Sequence, residues 1–360
     1  MPSQKSENSA LNEKESYSNS NLSKSSAERI KTLRRKKKNI PKLSEDILNG
    51  NKTGLSQGIT LIESQSIRHT EQIKSLISYC LPYANSSLRI GITGVPGVGK
   101  STFIEQLGLH LANAHHKVAV LAVDPTSSIT RGSILGDKTR MENLVQHPNA
   151  FIRPTASGDS LGGVARKTRE SILLCEAAGY DIILIETVGV GQSETAVHSM
   201  TDFFLLLKLA GAGDELQGIK RGIIEMADAI VINKADGNNV KSAKKAKVEF
   251  NRALHMYPPK PNGWNPKVKL ASAIENRGIK EVWKMISSYF ETVKTNGFFL
   301  EKRNSQNKFW LTQTIEDTLK RQFYQNEIVK QEFSLVLEKV QNQKMTPFDA
   351  AEHLLKLAKT

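Results

Sequence analysis

A glycine-rich stretch that ends in lysine and serine constrains the fold of this chain more than any other feature. Residues 94–101 read GVPGVGKS, which fits the spacing G-x-x-x-x-G-K-[ST] without exception. The apolar run LRIGIT leads into the stretch, and a helical pattern follows it. Glycines let the backbone turn its N–H groups toward an anion, and the next helix adds the positive end of its dipole. The stretch therefore predicts a phosphate-binding loop between a strand and a helix.

Two side chains of this loop have specific expected roles. We expect Lys100 to bridge β- and γ-phosphate oxygens of a nucleoside triphosphate, and Ser101 to offer its hydroxyl to Mg²⁺. The backbone of the other positions would wrap the phosphates. The predicted nucleotide-binding residues of the loop are Gly94, Val95, Pro96, Gly97, Val98, Gly99, Lys100, Ser101 and Thr102.

Six short apolar runs that alternate with helical patterns indicate the fold class. They are LRIGIT, KVAVLAV, YDIILIE, DFFLLLKL, DAIVIN and PKVKLAS. Val/Ile/Leu-rich runs without strict alternation are typical of strands buried on both faces of a parallel sheet. We therefore predict an α/β domain with a doubly wound, mostly parallel sheet over residues 88–300.

Helical segments are expected on both sides of that domain. Residues 43–87 carry apolar side chains at mixed three- and four-residue spacings and form a predicted N-terminal helical extension. Residues 301–360 contain three amphipathic patterns and no further strand, which predicts a C-terminal helical arm. In the last pattern Thr346 is the expected N-cap and Pro347 the first helical residue. Residues 1–42 are rich in Ser, Asn and Lys, which is typical of a disordered basic tail.

Much of the net charge of +14 comes from the N-terminal residues. Residues 1–45 hold eleven Lys/Arg and five Glu, so this stretch alone contributes +6. No run approaches the length of a membrane span, and the N-terminus lacks the apolar region of a secretory signal. Two cysteines, Cys80 and Cys175, cannot form a disulfide framework or a four-ligand zinc site. We expect a cytoplasmic protein without membrane contact.

The residues at the end of the fifth apolar run indicate which base is bound. They begin at Asn233 and match the N-K-x-D pattern of guanine-specific proteins. Asp236 can accept hydrogen bonds from guanine N1–H and the 2-amino group, whereas adenine presents no such pair of donors. Asn233 can hold the loop, and the stem of Lys234 can pack on the base. At the end of a later run, Ser272 and Ala273 can bring a backbone N–H to guanine O6. The pattern predicts GTP over ATP.

Three acids join Ser101 as candidate Mg²⁺ ligands. Glu186 ends the run YDIILIE, where the metal-binding acid of such a domain belongs. Asp124 ends KVAVLAV and is a natural second acid near the metal. Asp137 lies in a Gly-flanked stretch that could approach the ion once GTP is bound.

The predicted catalytic residues are Lys100, Glu186, Asp137 and Gly189. The backbone N–H of Gly189 can reach the γ-phosphate. The next residue is Val190, where Ras-like proteins place the glutamine that orients the attacking water. We therefore expect slow hydrolysis without a partner.

Seven segments in a fixed order resemble one family. They are ITGVPGVGKST, VDPTSS, GDKTRM, SLGGVA, IETVGVGQSE, GAGDELQGIK and INKADG. Over roughly residues 43–320 the chain resembles the MeaB/ArgK-type P-loop GTPases. The resemblance implies binding of GTP and GDP with Mg²⁺, and a homodimer built with the C-terminal helices. It also implies a partner, an adenosylcobalamin-dependent methylmalonyl-CoA mutase whose cofactor loading and rescue are gated by GTP hydrolysis. This chain itself is not expected to bind cobalamin.

The resemblance also gives a role to residues 211–222, GAGDELQGIKRG. In the family this segment is a third mobile loop that responds to the nucleotide. We expect Asp214, Glu215 and Lys220 to change partners between nucleotide states and to touch the mutase. Ala210 stands where the family is expected to have proline.

Other hypotheses stay open at this point. A metal-insertion GTPase of the urease or hydrogenase accessory type shares the fold and base motif, but it should carry a His/Cys cluster beyond His115 and His116. A kinase serving amino-acid transport would need a second substrate pocket, and no motif indicates one. The basic tail would suit a nucleic-acid-binding regulator, but the core lacks the aromatic–basic interleaving that stacks bases.

Overall fold

Seven parallel strands form one sheet at the centre of the chain. Numbered along the sequence, they are β1 Leu88–Gly94, β2 Val118–Val123, β3 Ala150–Thr155, β4 Ile182–Thr187, β5 Phe203–Lys208, β6 Ala229–Ile232 and β7 Lys267–Leu270. Their order in the sheet is β3-β2-β4-β1-β5-β6-β7, so β1 occupies the middle. The computed structural model describes residues 39–64, 66–123, 141–155, 161–187, 193–211 and 221–358.

Thirteen α-helices accompany the strands in these ranges. They are α1 Ile40–Leu48, α2 Lys52–Ile62, α3 Thr70–Cys80, α4 Lys100–Asn113, α5 Glu142–Gln146, α6 Leu161–Ala177, α7 Ser193–His198, α8 Arg221–Met226, α9 Val240–His255, α10 Ile279–Thr295, α11 Phe298–Gln325, α12 Glu327–Gln341 and α13 Pro347–Leu357. Within the described part of the chain, no helix is both long and apolar enough to cross a bilayer.

Helices cover both faces of the sheet, which confirms the predicted doubly wound α/β fold. On one face, α4 and α10 bury Phe103, Leu107 and Ile286 against β1, β2 and β5. On the other face, α1–α3 and α6 pack over β2 and β4, while α9 packs over β6 and β7. The side chains removed from water on both faces provide the main stabilisation of the sheet.

Six of the seven strands coincide with the six apolar runs, and the sequence analysis missed β3. This strand reads AFIRPT and, among the described strands, pairs only with β2, at the edge of the sheet. Arg153 and Pro154 break its apolar pattern. Proline is tolerated there because an edge strand leaves one side of its backbone without a ladder partner.

The C-terminal arm contains the three predicted helices. The side chain of Thr346 accepts a hydrogen bond from the backbone N–H of Asp349 (3.1 Å), and Pro347 begins α13, as predicted. The first half of α11 is attached to the sheet domain. Gln306 Nε2 donates to the carbonyl of Thr201 (2.8 Å), and Trp310 Nε1 donates to the carbonyl of Ser199 (3.3 Å).

A buried arginine also attaches α11 to the sheet domain. Arg303 donates from Nε and Nη2 to the two carboxylate oxygens of Asp202, at 3.0 and 2.7 Å. It also donates to the carbonyls of Asn85 (2.7 Å) and Ser87 (2.6 Å). Burial lowers the pKa of Arg303, but the hydrogen bond and charge of Asp202 outweigh burial and raise it. The arginine is therefore held in its charged form by a paired carboxylate.

Replacement of Arg303 by leucine should destabilise the sheet domain by about 3–5 kcal/mol, because Asp202 would remain buried without its cation. Urea unfolding followed by tryptophan fluorescence measures this change. Arg321→Leu, at an exposed position of the same helix, is the matched control and should cost about 0.5 kcal/mol or less. A loss of less than about 1 kcal/mol for Arg303→Leu would show that the attachment does not depend on this pair.

Candidate nucleotide-binding site

The glycine-rich loop joins the end of β1 to the start of α4 in the middle of the sheet. Gly94 lies against β5, and a Cβ atom there would come within 2.6 Å of the carbonyl oxygen of Leu207. Gly99 has a φ of 89°, a left-handed conformation that favours glycine, and it caps the N-terminus of α4. The glycines are therefore required by the close approach to β5 and by the turn into the helix.

Lys100 is folded back over its own loop. Its Nζ donates to the carbonyls of Gly94 (2.8 Å) and Val95 (3.3 Å), and the residue is 8% exposed. The loop thus holds the ammonium group at the carboxyl end of β1, beside the backbone that would wrap phosphate. The contact of Lys100 with phosphate oxygens stays a prediction.

The structure brings together two of the predicted metal ligands. Ser101 Oγ donates to Glu186 Oε1 at 3.1 Å, although the residues are 85 positions apart in the chain. A hydroxyl and a carboxylate are hard oxygen donors of the kind that Mg²⁺ prefers, so this pair fits the ion. The other predicted members of this part of the site, Asp124, Asp137 and Gly189, lie outside the described residues.

Two threonines beneath this pair were not identified from the sequence. Thr187 Oγ1 donates to Thr93 Oγ1 at 2.8 Å, and both residues are buried. The bond joins the last residue of β4 to β1 directly below the loop. A polar residue at the end of an otherwise apolar run is the signal that could have indicated it.

The base-recognition motif is attached to the phosphate loop by a hydrogen bond. Asn233 Nδ2 donates to the carbonyl of Val98 at 2.9 Å, and its backbone N–H donates to the carbonyl of Lys208 (2.7 Å). Among the described residues, the buried Oδ1 of Asn233 has no hydrogen-bond partner, so it can accept a bond from a ligand. Lys234 is exposed and has a φ of 54°, which turns the chain away from the strand.

The ends of β6 and β7 bring Asp236 and Ser272 together. Ser272 Oγ donates to Asp236 Oδ2 at 2.5 Å, which fixes one carboxylate oxygen and leaves the other acceptor positions of the carboxylate for a ligand. Ser272 also exchanges backbone hydrogen bonds with Arg277, at 2.9 and 3.0 Å. Ala273 is buried beside it. The predicted phosphate and base residues thus lie along one edge of the sheet, at the carboxyl ends of β1, β6 and β7.

Comparison with known proteins agrees with this arrangement. A sequence profile described as "Methylmalonyl Co-A mutase-associated GTPase MeaB" matches residues 55–328. GTPase ArgK of Escherichia coli is 43% identical over 311 residues, which cover 86% of this chain and 94% of ArgK. A mouse protein, "Methylmalonic aciduria type A homolog, mitochondrial", is 41% identical over 89% of this chain and 80% of its own length.

The chain belongs to the MeaB family of GTPases.

A solved structure extends the likeness to three dimensions. The crystal structure of a LAO/AO transport system kinase has a TM-score of 0.72 and 36% identity, and the match covers 89% of this chain and 98% of that one. The family membership, the α/β fold and the GTPase activity predicted from the sequence are thereby confirmed. The roles of individual site residues in this MeaB-family GTPase stay predictions.

Asp236→Asn should shift the base preference from guanine toward xanthine, because the acceptor carboxylate becomes an amide that also donates. We expect GTP affinity to fall by about 100-fold, since two charge-assisted hydrogen bonds are lost. Competition of GTP, XTP and ATP against a fluorescent nucleotide measures the change, with Asp317→Asn on α11 as the control. An unaltered preference for GTP would remove Asp236 from the base site.

Proposed function

We propose that this GTPase is a chaperone of an adenosylcobalamin-dependent methylmalonyl-CoA mutase. In this proposal, GTP hydrolysis gates the loading of cofactor into the mutase and its protection and reactivation. The observation that carries the proposal is the match of residues 55–328 to a family described as mutase-associated, on a chain with a complete phosphate loop and guanine motif. The name of the mouse relative, a methylmalonic aciduria type A homolog, refers to the same methylmalonyl group.

The hydrolytic part of the proposal rests on residues of this chain. Lys100 would balance the charge of the β- and γ-phosphates, and the carboxylate of Asp236 would fix the guanine. Ser101 and Glu186 would hold Mg²⁺, with Asp124 and Asp137 as further candidates. The bound ion would neutralise charge that develops on the phosphate oxygens. Gly189 lies outside the described residues, and so does Val190, which stands where Ras-like proteins place a water-orienting glutamine.

Coupling to the mutase is assigned to residues 211–222. Asp214, Glu215 and Lys220 would contact different partners with GTP and with GDP, although all three lie outside the described part of the chain. A loop can transmit the state of the nucleotide only if its contacts differ between the two states.

We infer a homodimer from the second half of α11. Leu311, Ile315 and Leu319 recur every four residues and are 63%, 50% and 60% exposed. A row of large apolar side chains on one helix face is typical of a surface that a second protein chain covers. The attachment of the first half of α11 by Arg303 would hold this row at a fixed position on each subunit.

The metal-insertion alternative gains no support from the described residues. No group of three His, Cys, Asp or Glu side chains in this part of the chain could hold a metal ion, as a metal-insertion GTPase would need. His116 instead bonds to Asp181 through Nδ1 (2.6 Å). Cys80 and Cys175 are free thiols, which favours a reducing cytoplasm as the location.

The purified protein should hydrolyse GTP well below the median enzyme turnover of about 10 per second, and methylmalonyl-CoA mutase should raise the rate roughly 5- to 150-fold. The reason is that valine at position 190 cannot orient the attacking water, so the partner would have to supply or position the group that does. Phosphate release with and without the mutase measures this effect, with Lys100→Ala as the inactive control. Absence of stimulation by a mutase that binds would refute the chaperone mechanism but not the GTPase activity.

Leu311→Glu with Leu319→Glu should convert the dimer to a monomer, because two buried carboxylates in the interface would lose their hydration. Light scattering gives the mass of each form relative to the 39.9 kDa chain. Met256→Glu, at an exposed apolar position away from α11, is the control and should leave the dimer intact. If the double variant remains dimeric, the interface lies elsewhere.

A further inference from the structure

Helix α9 carries an unusual concentration of positive charge directly after the base-recognition motif. Five cations lie within twelve residues, Lys241, Lys244, Lys245, Lys247 and Arg252, against one acid, Glu249. None of these five cations forms an ion pair with another residue in the described ranges. The opposite face of the helix buries Ala243, Ala246 and Phe250 against the sheet, so the charged face is directed outward.

The four lysines are placed unfavourably for the local stability of the helix, whereas Arg252 lies in the last turn, where the dipole favours a cation. Lys241 lies in the first turn, where the positive end of the helix dipole disfavours a cation, and no acid lies there. Asn239 precedes the helix but makes no capping hydrogen bond with its side chain. Lys241 and Lys245 are four residues apart, and Lys244 and Lys247 are three apart, so like charges are neighbours on the helix surface.

A helix surface whose charges oppose the stability of the helix itself is expected where a function requires those charges. Lysines on the adjacent edge strand β7 have a simpler explanation, because charged residues on an edge prevent unwanted strand pairing. That explanation does not apply to α9, which is a helix. An anionic partner would relieve the repulsion among the lysines and offset the dipole.

Apolar side chains on the same face favour a protein as the partner. Val248 is 50% exposed and Met256, just past the helix end, is 82% exposed. Val248 lies three or four residues from Lys244, Lys245 and Arg252, so apolar and cationic groups share one stripe. The phosphate backbone of a nucleic acid would make no favourable contact with these apolar side chains. Protein interfaces, in contrast, combine an apolar centre with a polar and charged rim.

We propose that the outer face of α9 is a docking surface for an acidic protein segment that carries an apolar anchor. Residues 1–45 carry a net charge of +6, so their charge does not complement this surface and the proposed occupant is a different protein. This surface includes none of residues 211–222 and none of the apolar row on α11, so the proposal does not rest on the chaperone role.

A dye placed on α9 reports binding at this surface in the full chain. Ser242→Cys gives an exposed attachment point, and both native thiols are buried. Burial raises the pKa of Cys80 to about 11, which further protects it from labelling. The probe is a 20-residue helical peptide with glutamates around two leucines, compared with poly-U RNA of equal charge. The peptide should bind with an affinity that falls as salt rises.

The deciding variant is Lys241→Glu combined with Lys244→Glu. It should reduce peptide affinity by about 10-fold, and it should raise the melting temperature by about 1–3 °C, because acids near the helix start suit the dipole. Lys339→Glu, in the last turn of α12, is the control. It should leave peptide affinity unchanged and lower the melting temperature slightly, because the dipole favours a cation there.

Three results would overturn the proposal. The first is unchanged peptide affinity in the double variant. The second is a comparable loss of GTP affinity in that variant, which would assign the lysines to the nucleotide. The third is tighter binding of poly-U than of the peptide, with no effect of Val248→Ser and Met256→Ser, which would indicate a nucleic-acid surface. Weaker peptide binding in the Val248→Ser, Met256→Ser variant would support the apolar anchor.

Discussion

Strand β1 lies between β4 and β5, and the absence of side chains at two of its positions permits that packing. A Cβ atom at Gly91 would come within 2.8 Å of the Phe204 ring, and one at Gly94 within 2.6 Å of the Leu207 carbonyl. Because both neighbours are parallel to β1, their carboxyl ends meet at the start of the phosphate loop. Because the strand ends meet there, Ser101 can contact Glu186, and Asn233 can reach the carbonyl of Val98.

The opposite end of β1 takes part in a cluster of buried ion pairs. Arg89, its second residue, donates from Nε and Nη2 to the two carboxylate oxygens of Glu176 on α6, both at 2.9 Å. Its backbone N–H donates to Asp202, which also accepts from Arg303 on α11. Two buried arginines thus pair with two buried carboxylates. Removal of any one charge would leave another without compensation, which makes the cluster costly to disrupt.

The phosphate and base motifs were predictable because their residues are contiguous in sequence and their chemistry dictates their spacing. The six apolar strands were predictable because parallel strands buried on both faces have few polar residues. The ionic cluster was not predictable by the same means. Arg303 bonds to the carbonyl of Asn85 across 218 positions, and nothing near either residue marks the pairing. Strand β3 was missed because Arg153 and Pro154 are compatible with an edge strand but break the pattern used to find one.

The two ends of β1 are six residues apart, but one leads into the phosphate loop and the other contacts the attachment site of α11. Gly94 leads into the phosphate loop, and Leu88 and Arg89 lie beside the attachment of α11. A strand held by ladders on both sides cannot lengthen or rotate alone, so movement at one end would have to involve the whole sheet. We therefore expect the first half of α11 to keep its position relative to the sheet when the nucleotide changes. Changes that depend on the nucleotide would then be confined to segments that leave the carboxyl ends of the strands, where the sheet imposes no ladder.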